Sequence, residues 1–105
     1  MISTARGRFL SRMEELFAEA AQIIYDKNAD YANSDDPFLN FKGCLEDGMP
    51  VAAGMTVRMR DKMARIGNLI NRPPKVKDES LRDTCIDLMN YAAILAVWLE
   101  WDDDA

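Results

Sequence analysis

Proline placement constrains this chain more than any other feature. The four prolines are Pro37, Pro50, Pro73 and Pro74, and a proline inside a helix removes an amide donor and clashes with the preceding turn. Between them the apolar residues recur every three or four positions, as on one face of an α-helix, with no strand-like alternation. The prolines therefore mark helix boundaries, and the sequence predicts an all-α fold: a helical bundle of three long helices and one short helix. A length of 105 residues fits one domain, 1–105.

A long amphipathic helix is expected from about Ser3 to Lys27, with a stripe of Leu10, Met13, Phe17, Ala20 and Ile24. Leu16, Ala21 and Ile23 widen the stripe, and Glu15, Glu19, Gln22 and Asp26 fall opposite. The Asn-, Asp- and Ser-rich stretch that follows favours turns and caps. Within it, Asp36-Pro37 reads as an N-cap and a first-turn proline. A short helix carrying Phe38, Phe41 and Leu45 should follow and stop at Gly48.

Pro50 opens a third helix that runs to about Asn71, with a stripe of Met55, Met59, Met63, Ile66 and Ile70, ended by Arg72-Pro73-Pro74. The last helix begins near Asp78 as N-cap, with Glu79 in the first turn, where the helix dipole favours acid. Leu81, Cys85, Leu88, Ala92, Leu95 and Leu99 form a heptad-like seam along it. Ile86, Ile94 and Val97 lie on its other side, leaving the C-terminal half apolar nearly all round. That excess predicts a homo-oligomer, most simply a two-fold dimer.

The absent residues limit the chemistry. With no histidine in the chain, imidazole general bases and imidazole-ligated metals are excluded. Cys44 and Cys85 stand 41 positions apart and suit neither a CxxC site nor a disulfide framework. A net charge of −5, from 13 basic and 18 acidic residues, does not attract a phosphate backbone at long range, so non-specific DNA binding is not expected. No apolar run is long enough for a membrane span, and the first residues lack the pattern of a signal peptide. A cytoplasmic location is the expectation. Chemistry is left to carboxylates, a carboxylate-held metal, or Arg and Lys contacts to phosphate.

Three clusters could supply it. Glu79, Asp83 and Asp87 are four residues apart in turn, on one side of the last helix. Carboxylates so spaced can hold Mg²⁺, which takes a few carboxylates, waters and substrate phosphates. Arg58, Asp61, Arg65 and Asn68, with Lys62 beside them, flank the methionine stripe of the third helix. There the cations suit phosphate and Asp61 could orient them; intrahelical ion pairing explains the same spacing without a ligand. The loop from Asp30 through Tyr31 and Asn33 to Asp36 could read a base by stacking on Tyr31 and hydrogen bonding through Asn33. A well-capped connection is its plainer explanation.

Taken in order, four motifs give the chain a family likeness. They are Lys27-x-x-Asp30-Tyr31, Asp36-Pro37-x-x-Asn40-Phe41, Arg58-x-x-Asp61-Lys62-x-x-Arg65 and Asp78-Glu79-Ser80-Leu81-x-Asp83-Thr84-x-x-Asp87-Leu88-x-x-Tyr91. Over roughly residues 8–96 the chain resembles the phage and bacterial family called nucleotide modification associated domain 1. The resemblance implies a setting in nucleotide metabolism rather than a particular reaction. A weaker similarity is to MazG-type all-α nucleoside triphosphate pyrophosphohydrolases, which place acidic pairs from two helices around Mg²⁺. Here the spacing departs from theirs: Glu15 and Glu19 are four apart where that family has Glu residues three apart, and Glu79-x-x-x-Asp83 stands where it has Glu-x-x-Asp.

Three functions are compatible with these residues. In the first, Mg²⁺ on Glu79, Asp83 and Asp87, the candidate catalytic and metal-binding residues, activates water on a nucleoside polyphosphate. Arg58, Lys62 and Arg65 hold the phosphates, and Asp30, Tyr31, Asn33 and Asp61 complete the nucleotide site. In the second, a non-catalytic protein sequesters a nucleotide or nucleotide signal, as an anti-defence protein would, and needs no metal. In the third, the acidic and apolar faces serve protein interaction alone.

Overall fold

The computed structural model of the chain describes residues 4–30, 35–42, 50–71 and 80–101. They form four helices in the order α1 (Ala5–Asp30), α2 (Leu39–Lys42), α3 (Val51–Asn71) and α4 (Ser80–Glu100). No strand occurs among the described residues, and no helix among them is long and apolar enough to cross a membrane. The chain divides into two units, Met1–Asn33 and Ser34–Ala105.

The first unit contains α1. Thr4 caps its N-terminus: the Thr4 hydroxyl accepts from the Gly7 amide at 2.9 Å, and the Thr4 carbonyl accepts from the Arg8 amide at 2.9 Å. At the other end the Asn28 side-chain amide donates to the Ile24 carbonyl at 3.0 Å, and the helix runs three residues past the expected end at Lys27. The polar side of α1 is held by an Arg12–Glu15 ion pair and a Gln22–Asp26 hydrogen bond. Along the expected stripe Ala20 is buried and Met13 and Ile24 are half-buried, whereas Leu10 and Phe17 remain more than half exposed.

The second unit is built on α3 and α4, which lie antiparallel: Met55 packs near Tyr91 and Trp98, while Lys62 reaches Asp87. Phe38, Phe41, Val51 and Met55 form the buried cluster, and Tyr91, Ile94, Leu95 and Trp98 of α4 pack against it. Phe38 meets Trp98 and Trp101 edge to face, at centroid distances of 4.9 and 5.1 Å, and Phe41 meets Tyr91 the same way at 6.2 Å. Leu45, Gly48 and Asp78, which bear on the expected helix limits, lie outside the described residues, as do Arg72, Pro73 and Pro74.

Two expectations for this unit are corrected. The side of α4 that packs on the aromatic cluster is Tyr91, Ile94, Leu95 and Trp98; of the heptad-like seam only Leu95 joins it, while Cys85, Leu88 and Ala92 stand along a furrow with α3. Cys85 is exposed, and Leu99 is 72% exposed. The reason is area. An aromatic side chain buries about 150–250 Å², so Tyr91 and Trp98 outweigh the smaller residues of a regular heptad. Ile86 and Ile94 were expected to be left over for a partner subunit. Instead Ile86 is 2% exposed and Ile94 packs on the aromatic cluster, leaving Val97 exposed. The α3 stripe also divides: Met55 is fully buried, Met59 and Ile66 are half-buried, and Met63 and Ile70 are exposed.

Asp36 caps the turn into α2 as expected. Its Oδ1 accepts from the Phe38 amide at 2.9 Å, and its Oδ2 lies 2.7 Å from Lys42 Nζ. The Lys42 hydrogen bond, followed by the Phe38 amide, holds this carboxyl below its ordinary value of 3.8. Such a group contributes stability that is complete above the unfolded value and is lost as the pH falls through the folded one. Asp36→Ala should therefore cost about 1 kcal/mol in urea denaturation at neutral pH. The difference from wild type should shrink as the pH is lowered from about 5 to about 2. Phe38→Ala, which empties the space between two indoles, should cost about 3–5 kcal/mol in the same measurement.

Candidate functional site

Beside the aromatic cluster, α3 and α4 enclose a groove of about 660 Å³ lined by Arg58, Asp61, Lys62, Ala64, Arg65, Asn68 and Tyr91. Its construction follows from helical spacing. Positions 58, 62 and 65 fall within one sector of α3, and at about 1.5 Å per residue they extend along roughly 10 Å of its axis. Asp61 and Asn68 stand along one edge of that sector. Opposite, α4 presents Tyr91 and, one turn before it, Asp87. The volume lies within the range of about 300–1,000 Å³ usual for small-molecule sites.

Each cation has a different environment. The Arg58 guanidinium lies over the Phe41 ring, 5.2 Å from its centroid, so the hydrophobic cluster itself positions that charge. Lys62 Nζ is 3.1 Å from Asp87 Oδ2, and both side chains are partly exposed. Arg65 is exposed at the groove. Three cations thus converge on one polar surface with an amide, Asn68, and an aromatic wall, Tyr91. Arg and Lys side chains that converge in this way can engage the oxygens of a phosphate group, bidentately in the case of Arg.

Of the expected site residues, Arg58, Asp61, Lys62 and Arg65 lie together in this groove, and Asp87 faces it through Lys62. Asp83 is exposed on α4, one turn before Asp87. Asp30 is the last residue of α1, whereas Tyr31, Asn33 and Glu79 lie outside the described residues. No group of three metal-binding side chains occurs among the described residues. Two carboxylates are nevertheless enough for Mg²⁺ when waters and phosphate oxygens complete its shell. A cation at Asp83 and Asp87 would have to take the place Lys62 now holds on Asp87.

Asn68, placed by spacing beside Arg58, Asp61 and Arg65, does line the groove, whereas Tyr91 was not among the expected binding residues. Tyr91 could have been found in the same way, since it follows Asp87 by four positions on α4. The contribution of Phe41 beneath Arg58 could not, because it depends on how α2 docks on α3.

A second groove of about 800 Å³ also runs between α3 and α4, lined chiefly by Met59, Met63, Ile66, Leu88, Met89 and Ala92. Its lining is apolar where the first is charged. Comparison with family models, with characterised proteins and with solved structures gives no match, so the family likeness rests on the four motifs that carry it.

Proposed function

We propose that the polar groove of α3 and α4 binds the phosphate of a nucleotide or nucleotide-derived small molecule. The convergence of Arg58, Lys62 and Arg65 around one groove supports this reading most directly. Tyr91 supplies a flat surface for an adjoining ring and Asn68 a hydrogen-bonding amide. The order of the motifs adds the nucleotide setting of the phage and bacterial family that the chain resembles.

Sequestration without catalysis is the form of this reading that the Lys62–Asp87 pair favours, because it balances the acidic helix without a metal. In the catalytic alternative, Mg²⁺ on Asp83 and Asp87, joined by Glu79, supplies charge neutralisation and an activated water, and the protein hydrolyses a nucleoside polyphosphate. Mass spectrometry of ligands released from the purified protein separates the two. Intact nucleotide supports sequestration, whereas pyrophosphate formed from a nucleotide panel with Mg²⁺ supports hydrolysis. In either form Arg65→Ala should weaken nucleotide binding by about 1.5–3 kcal/mol, the scale of a hydrogen bond to a charged group, in calorimetric titration. Binding unchanged by that substitution would leave the charged face to protein interaction.

The homo-oligomer, most simply a two-fold dimer, is retained as a proposal on different surfaces: the apolar groove with Met63 and Leu88, and exposed Leu99 and Trp101 at the end of α4. Light scattering at micromolar concentration should give close to twice the 11.9 kDa chain mass. A single species at the chain mass would refute it.

A further inference from the structure

We infer that in the absence of divalent metal the groove selects a ligand carrying a single phosphate group, a nucleoside monophosphate, over the corresponding triphosphate. This rests on the reading of the groove as a phosphate site. The argument is one of charge. Three cations face the groove, Arg58, Lys62 and Arg65, against two carboxylates, Asp61 and Asp87, a formal balance of +1. One phosphate monoester carries a charge of about −1.5 to −2 at neutral pH, which nearly matches that balance. A metal-free triphosphate carries roughly twice as much.

The Lys62–Asp87 pair sharpens the discrimination. At 3.1 Å, Lys62 is already engaged, so Arg65 and Arg58 are the cations open to a first phosphate. A polyphosphate chain following the 58–65 sector comes close to the Asp87 carboxylate, with which it must share Lys62. The cation's charge is then divided between two anions, and the carboxylate repels the further negative charge beside it, which opposes binding. The groove thus has a built-in competitor for its central cation. A monophosphate can bind on Arg58 and Arg65 clear of Asp87; a triphosphate that uses Lys62 brings its added charge beside that carboxylate. A divalent ion bound to the triphosphate would halve the ligand's charge and could stand at Asp87 in place of Lys62.

The test is calorimetric titration of the full chain with the four deoxynucleoside monophosphates and the matching triphosphates, in EDTA. For whichever base binds, the monophosphate should bind at least about tenfold more tightly than its triphosphate. Asp87→Asn keeps the side chain's size but releases Lys62, and should narrow that ratio at least fivefold, with circular dichroism confirming an intact helical fold. Triphosphates binding as tightly as monophosphates to wild type, or a ratio unmoved by Asp87→Asn, would overturn the inference and leave the phosphate site standing. If neither class binds more tightly than millimolar, the phosphate-site reading falls and this inference with it.

Discussion

The edge-to-face packing of Phe38 on Trp98 and Trp101 joins a helix of only four residues to the end of one of 21. A single turn of helix has no stability of its own, because nucleation costs more than its few hydrogen bonds return. Here α2 and the turn that leads into it are held by what they bury: Phe38 of the turn and Phe41 of α2 sit in the cluster with Val51 and Met55, and Asp36 satisfies the Phe38 amide. Much of the polar geometry depends on this docking. Phe41 offers its face to Arg58 and meets Tyr91 edge to face. One ring therefore positions a cation from α3 and stands against the aromatic wall contributed by α4. A loss of packing around Phe38 would be felt at the groove without any charged residue being changed.

The α3–α4 pair carries two grooves of opposite character. Two helices side by side leave a furrow along each flank, and the sequence fills them differently. Arg58, Asp61, Lys62 and Arg65 stand on one flank of α3, while Met59, Met63 and Ile66 stand on the other. On α4, Asp87 and Tyr91 face the first group, and Leu88, Met89 and Ala92 the second. The charged furrow carries three cations, two carboxylates beside them and an amide. Flexible thioethers in the apolar one offer an adaptable surface, as methionines do wherever shape is not sharply specified.

The secondary structure was readable from local chemistry. Asp36 accepts the hydrogen bond expected of an N-cap, Pro50 lies just before α3, and α3 is described as far as Asn71. The grouping of Arg58, Asp61, Lys62 and Arg65 was readable for the same reason, since four- and three-residue steps on one helix determine a shared flank. What escaped was the weighting among apolar residues. A heptad count gives Cys85 the weight of a leucine and leaves out Trp98, but the larger aromatic area of Tyr91 and Trp98 set the rotation of α4 about its axis. That rotation turned Ile94 inward and brought Tyr91 to the groove. The Lys62–Asp87 pair was hidden likewise, because it depends on the register of two helices that no local pattern fixes.

Register also bears on what the charges do. An ion pair between side chains with about a third of their surface exposed contributes on the order of 0–1 kcal/mol, and less in salt. The aromatic cluster, with four buried side chains and two edge-to-face contacts at Phe38 alone, contributes several times that. Hydrophobic packing therefore sets the alignment of α3 with α4, and the Lys62–Asp87 pair follows from it. A pair with little structural duty can be opened at small cost to the fold. On the proposed phosphate reading, the cost to an incoming ligand is then chiefly local: its repulsion from Asp87. The residues of the packed cluster and the charged residues of the groove are different members of the same helix pair, so the groove's charges can change with modest consequence for the packing that holds them in place.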